Sequence, residues 1–279
     1  MSSHTVGAIA STPSGQLIYS DLDLNEIETL TPTGPRQILR APDRWPATIT
    51  GLATDGNRIW FADGGRLYEA DLAGSGLRRV PAVGDVDSVQ ALSNGAVVYS
   101  TSPTGHGGSI FERFANGRTV LLVGNAGSSE DESPYNHSTV PASSADIGPT
   151  SFALAGDGLL YIVDAGNILE EVRNGVVTRM TDAAFNGAVL TASPNGVVYG
   201  VVFRTIDRFA DGTLRPLGEI PNRVDGQFAA PVSIAPAPSG GLYLAYTDQV
   251  ASTGALWRSG VIRISSSGSS TPLVESQSS

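Results

Sequence analysis

The strongest constraint on this chain is a repeat. Aligning the aromatic residue of one recurring apolar segment gives Tyr19, Trp60, Tyr99, Tyr161, Tyr199 and Tyr243, separated by 41, 39, 62, 38 and 44 residues. Four of the five gaps lie near one period, and periods of this length mark arrays of identical supersecondary units. The clearest copy runs from Gly156 to Val172. Asp157-Gly158 supplies a tight turn, because Gly tolerates positive φ and Asp can accept a bond from its own backbone. Leu159 to Val163 is uniformly apolar, as in a strand covered on both faces. Asp164 to Asn167 is a polar turn, and Ile168 to Val172 alternates like a half-exposed strand.

The other copies share this grammar. A first apolar strand (Val6 to Ala10, Ile49 to Ala53, Val86 to Ala91, Ser151 to Ala155, Ala188 to Ala192, Val232 to Ala235) leads to a glycine turn at Gly15, Gly56, Gly95, Gly158, Gly196 or Gly241. The aromatic strand, a loop, an alternating strand, a second glycine turn and a fourth strand follow. One four-stranded sheet cannot bury both faces or hide its edges. Six sheets packed around an axis can, so the expected fold is all-β: a single six-bladed β-propeller with four antiparallel strands per blade. The expected blades span 5–42, 46–82, 85–123, 149–181, 186–218 and 230–275 of a single 1–279 domain. A pair of β-sandwiches or a β-solenoid is the alternative; a solenoid lacks the contrast between all-apolar inner and half-polar outer strands. No outer strand is visibly borrowed by another copy. Closure is therefore expected to rest on side-chain packing between the first and last copies, unless a strand is missing.

Composition bounds the function. Hydrophobic residues make up 41% of the 279, enough for a sizeable core, and 33 Gly with 17 Pro suit many turns. The net charge is −10, which disfavours nucleic-acid and anionic-membrane partners. All 17 basic residues are Arg, so no lysine nucleophile or Schiff base is available. Cysteine is absent, which excludes disulfides, thiolate metal sites and a cysteine nucleophile. No run approaches the roughly 18 apolar residues of a membrane helix. The start shows no signal peptide. A native Met1 would place the chain in the cytoplasm; an excised domain would place it outside the cell.

At Tyr161-Ile162-Val163-Asp164-Ala165-Gly166-Asn167 the sequence resembles an NHL repeat, with the glycine-rich Val123 to Gly127 and the stretch Ala142 to Pro149 before it. Tyr19-Ser20-Asp21 and Trp60-Phe61-Ala62-Asp63 match in part, whereas copies three, five and six lack the Asp. The resemblance implies a six-bladed propeller. NHL propellers include bacterial sensor domains, RNA- and protein-binding modules and an amidating lyase. The wider six-bladed group includes gluconolactonase-like hydrolases and strictosidine-synthase-like enzymes.

Ligand sites on such a scaffold belong to the end carrying the loops between second and third strands and the segments joining copies. The longest joining segments are Gly124 to Pro149, which accounts for the 62-residue gap and contains Tyr135 and His137, and Gly218 to Pro231. His4, His106 and His137 all fall at this end, and three histidines from separate loops could hold a metal with an open position. Counting eight residues back from each first-turn glycine gives an axial ring of Gly7, Thr48, Asp87, Thr150, Ala188 and Ser233. Asp87 is its one carboxylate and thus the candidate catalytic base. Asn186 lies close to this ring and Arg204 ends the loop Val202 to Arg204, so the candidate ligand-binding residues are Asp87, His106, His137, Tyr135, Asn186 and Arg204. Gluconolactonase-like enzymes use a divalent cation on carboxylate and amide ligands; that set is not reproduced here, and no cofactor is required by the sequence. Asp21-Leu22-Asp23-Leu24-Asn25 mimics the start of a calcium loop, but Glu26 stands where the sharp turn needs Gly. Asp21, Asp63 and Asp164 are expected to bond backbone N–H groups in turns. These readings favour a recognition module for a protein, peptide, glycan or small molecule at the loop face, with a pore-pocket hydrolase, lyase or biosynthetic enzyme as the alternative.

Overall fold

The computed structural model describes residues 5–42, 48–101, 108–125, 139–155, 158–164, 168–180, 189–192, 197–202, 205–210, 213–220, 229–237, 240–249 and 257–278. It is a six-bladed β-propeller. Blade one comprises β1 (Val6–Ser11), β2 (Leu17–Asp21), β3 (Glu26–Thr31) and β4 (Gly34–Arg40); blade two β5 (Ile49–Thr54), β6 (Arg58–Asp63), β7 (Arg66–Asp71) and β8 (Arg78–Val80). Blade three holds β9 (Val86–Ala91), β10 (Val97–Thr101), β11 (Ser109–Arg113) and β12 (Thr119–Gly124). A short β13 (Thr139–Pro141) and a 3₁₀ turn (Ala142–Ser144) precede blade four, β14 (Pro149–Leu154), β15 (Leu160–Asp164), β16 (Leu169–Arg173) and β17 (Val176–Arg179). Blade five is β18 (Val189–Ala192), β19 (Val198–Val202), β20 (Thr205–Ala210) and β21 (Thr213–Glu219); blade six is β22 (Ala229–Pro236), β23 (Leu242–Gln249), β24 (Trp257–Ile264) and β25 (Ser270–Ser278). Every blade is an antiparallel meander of four consecutive strands. The innermost strands β1, β5, β9, β14, β18 and β22 touch in that order, and β22 returns to β1.

The segment before Pro149 is not a bare loop. Its β13 pairs with β17 and gives blade four a fifth, outer strand. That pairing covers an edge that would otherwise present unpaired backbone groups.

The core is divided among six interfaces, one apolar cluster between each pair of neighbouring blades. Ring closure follows the same rule. Val6, Ile9, Leu17 and Tyr19 of blade one pack against Ala235, Ala237, Tyr243, Ala245 and Val261 of blade six. Ser259 Oγ accepts from Val6 N (3.1 Å), and Ser233 Oγ accepts from Ile9 N (3.1 Å). Among the described residues closure thus rests on side-chain packing and side-chain hydrogen bonds, and the first and last blades share no strand.

The six second-strand aromatics are all buried, as expected of inter-blade core. They do not all share one face. Trp60, Tyr161, Tyr199 and Tyr243 pack on the following blade, but Tyr19 and Tyr99 pack on the preceding one. Strand pairing explains the difference. Asp21, Asp63, Thr101 and Asp164 occupy equivalent positions opposite Val6, Ile49, Val86 and Pro149. Counted from there, Ile18 and Val98 stand where the other blades carry Trp or Tyr. A one-residue offset flips a strand side chain to the other face.

Where the aromatic faces forward it also ties blades together. Tyr199 Oη donates to Gly240 O (3.2 Å) and Tyr243 Oη to Gly15 O (3.3 Å), each in the first hairpin turn of the next blade. Trp60 has no hydroxyl. In its place Arg58 lies over the indole, 5.1 Å from the ring centroid, and its Nη2 donates to Gly95 O (3.4 Å). Each such bond adds about 1 kcal/mol to an interface dominated by apolar burial.

Candidate functional site

The antiparallel order puts the ends of the second strands, the loops after them and the starts of the innermost strands at one end of the ring. In five blades the innermost strand carries a β-bulge there: register shifts leave Gly7, Thr50, Asp87, Thr150 and Val232 as the extra residues. A bulge takes its residue out of the ladder and re-aims the side chain. Thr50, Thr150 and Val232 are exposed and Asp87 is partly exposed. Thr150 keeps its hydroxyl bonded to Val163 O (3.0 Å).

This ring corrects the counted one at two places. Gly7, Asp87 and Thr150 lie at bulges, but Thr50 replaces Thr48 and Val232 replaces Ser233. In blade six the left-handed turn glycine is Gly240 (φ 83°), not Gly241, so the count began one residue late. In blade two the first turn is shorter, because Asp55 Oδ1 accepts from both Asn57 N (2.9 Å) and Arg58 N (2.8 Å). Ala188 lies outside the described residues.

In blades four and six the residue after the bulge joins inner strands. Ser151 Oγ accepts from Leu190 N (2.8 Å), and Ser233 does the same for Ile9. Between blades three and four, Gln90 exchanges two bonds with Leu154: Oε1 accepts from its N (2.7 Å) and Nε2 donates to its O (2.8 Å). At Gly51 the approach is closest. A Cβ built there would lie 2.9 Å from Ser88 Cα and 3.1 Å from Asp87 O, so glycine lets blade two abut the Asp87 bulge.

Asp21, Asp63 and Asp164 are fully buried. Asp21 Oδ1 accepts from Asp23 N (2.9 Å) and Leu24 N (3.1 Å), closing its own turn, in which Asn25 adopts φ 54°. The calcium-like spacing is therefore an Asx turn. Asp164 Oδ1 accepts from Gly148 N, which anchors the chain entering blade four; the turn at 165–167 lies outside the described residues.

Of the six candidate ligand-binding residues, Asp87 is placed by the structure. Tyr135, His137, His106, Asn186 and Arg204 lie outside the described residues, as does His4. Among the described residues no group of three or more His, Cys, Asp or Glu side chains is arranged to hold a metal ion.

Sequence reading missed Glu170. It sits on β16 between Ile162 and Arg179 and is only 3% exposed. Burial, and then the negative charge of Asp164, push its carboxyl up to about 7, while Arg179 pulls it down. Its Oε2 has no hydrogen-bond partner among the described residues. The signal was present: in a strand of period two, Glu170 and Glu171 cannot both face outward. Asp207 of blade five is likewise buried, which raises its carboxyl.

No protein-family model matches this sequence, and no curated protein matches it. Solved structures with the same fold do. A streptogramin B lyase structure is 16% identical, with a TM-score of 0.60 over 98% of this chain and 84% of that one. The luciferin-regenerating enzyme is 12% identical, with a TM-score of 0.61 over 100% of this chain and 93% of that one. The gluconolactonase XC5397 from Xanthomonas campestris is 15% identical, with a TM-score of 0.58 over 88% of this chain and 84% of that one. At these identities the likeness is one of fold.

Proposed function

We propose that this propeller is an NHL-like recognition module that binds a protein, peptide or glycan at its loop-bearing mouth. The observation that carries the reading is the bulge ring. Thr50, Thr150 and Val232 are exposed and Asp87 partly so, each on an innermost strand whose core residues are buried. Hydroxyls, one carboxylate and one apolar side chain on a rigid frame suit non-covalent recognition, in which a few placed polar groups orient a ligand. The test is a screen of the purified protein on combined peptide and glycan arrays, repeated with Asp87→Asn and Thr50→Val. Signals that both substitutions reduce support the reading. Signals indifferent to both, with unchanged folding by circular dichroism, overturn it.

The second reading is an enzyme that uses the same mouth, with the Asp87 carboxylate as a general base. It draws on the lyase and the two enzymes among the fold neighbours. Fold does not carry chemistry with it, so this reading depends on Asp87 alone. Turnover of a lactone or depsipeptide panel that Asp87→Asn abolishes, with folding intact, would install it in place of the first.

A further inference from the structure

The exposed apolar side chains are unevenly placed. Among the described residues the large ones are Leu24 (38% exposed), Leu77 (38%), Val83 (49%) and Val232 (36%). Single exposed apolar residues are ordinary. Here three of the four share the loop end. Leu24 lies in the turn after β2, Val83 in the segment joining blades two and three, and Val232 in the bulge of blade six. Only Leu77 lies at the opposite end, beside β8.

Charge is divided the same way. At the loop end Asp23, Asp85 and Glu219 are exposed, and Asp87 and Asp146 partly so. Four described arginines accompany them: Arg40, held by Glu26 at 3.3 Å, Arg66, Arg179 beside Glu170, and Arg258, opposite Asp248 in the strand pairing of blade six. At the opposite end Arg36, Arg58, Arg78, Arg79, Arg113 and Arg118 cluster on the hairpin turns. There Asp55 pairs with Arg58, and Glu69 with Arg78.

We propose that the loop end docks an extended polypeptide segment in which cationic and apolar side chains alternate. This rests on the recognition reading above and commits it to one class of partner. Carboxylates around Asp87 attract Lys or Arg, while Leu24, Val83 and Val232 give the intervening apolar side chains a surface to leave water against. The three apolar positions belong to blade six, blade one and the segment joining blades two and three, so a ligand that meets all of them spans several blades. An anionic glycan or a nucleic acid is repelled by the same carboxylates.

The probes are three short fluorescent peptides: alternating Lys-Leu, alternating Ser-Leu and alternating Glu-Leu. Each is titrated by anisotropy at low and high salt. The Lys-Leu peptide is expected to bind at least about tenfold more tightly than Ser-Leu, with Glu-Leu weakest and the preference shrinking in high salt. Asp85→Asn combined with Asp87→Asn should remove the preference for Lys-Leu. Val83→Ser should weaken Lys-Leu and Ser-Leu alike. Asp71→Asn at the opposite end should change neither. Equal binding of Lys-Leu and Ser-Leu, or a preference that survives the double substitution, overturns the proposal. If the arrays instead return a neutral glycan that Asp87→Asn weakens, the recognition reading stands and this inference falls. If nothing bound depends on the mouth, both fall.

Discussion

At the turn end of the ring, side chains reach across to the next blade: Tyr199 to Gly240, Tyr243 to Gly15 and Arg58 to Gly95. At the loop end the cross-blade bonds include those one residue beyond the bulges, at Ser151 and Ser233, and the bond from Val6 N to Ser259 Oγ, while Thr50, Thr150 and Val232 at the bulges are exposed and Asp87 is partly so. Both ends are built from the same strands. What differs is where the polar groups are spent. Turn-end groups tie neighbouring blades together, whereas Thr50 and Val232 stand exposed at bulges and Asp87 partly so. A scaffold that completes its own interfaces elsewhere leaves such positions free to vary with the ligand.

That contrast can be broken experimentally. The largest effect is expected from Glu170, which lies behind the mouth and off the ring. Its folded carboxyl titrates at about 7 against an ordinary 4.5, so the folded protein holds a proton that the unfolded chain releases. Stability is then greatest below about pH 4.5 as far as this group is concerned, and it declines as pH rises toward 7. The full change is about 3 kcal/mol at most. Glu170→Gln should flatten this slope and raise the midpoint of urea unfolding at pH 8 more than at pH 5. An unchanged slope would show that the buried carboxyl is compensated by groups beyond Asp164 and Arg179.

Gly51→Ala comes next. Its Cβ would press on the Ser88 backbone, and overpacking of this kind costs about 1–3 kcal/mol. Denaturant titration reads it directly. If the variant is as stable as the parent, the inner strands are not in the close contact described. The turn-end ties are smaller. Tyr243→Phe should cost about 1 kcal/mol, and Arg58→Met a similar amount through loss of the Gly95 bond and the indole contact. Thermal melts should rank both below Gly51→Ala. Least of all, Thr50→Ser and Asp87→Asn should shift stability by under about 0.5 kcal/mol while altering ligand binding. A destabilising Asp87→Asn would mean that the loop-end ring serves the fold as much as the turn end does, and the contrast would fail.

The architecture was legible because its signals are local. A glycine turn, a five-residue apolar run and an alternating strand recur at a spacing that chain length alone preserves. Repetition also let weak copies borrow certainty from the copy at Tyr161. The ring of bulges was legible only in outline. The count reached the bulge at Asp87 because blades one, three and four keep the same distance from turn glycine to bulge. Thr48 and Ser233 were misplaced because blade two shortens its turn with Asp55, and blade six sets its left-handed residue at Gly240. The strand Ile168 to Val172 looked half exposed, yet only Glu171 among its residues is not buried.

The amino-acid sequence by itself determined the number of blades, the four strands of each and the end of the ring that carries the loops. Turns and apolar runs are specified by residues within a few positions of each other. Tertiary structure decided which face each aromatic takes, which residues leave the ladder at the bulges, and that Glu170 rather than Glu171 is enclosed. A bulge adds one residue without changing composition, and in a strand one residue is half a period, so parity is settled only when the neighbouring blade is in place.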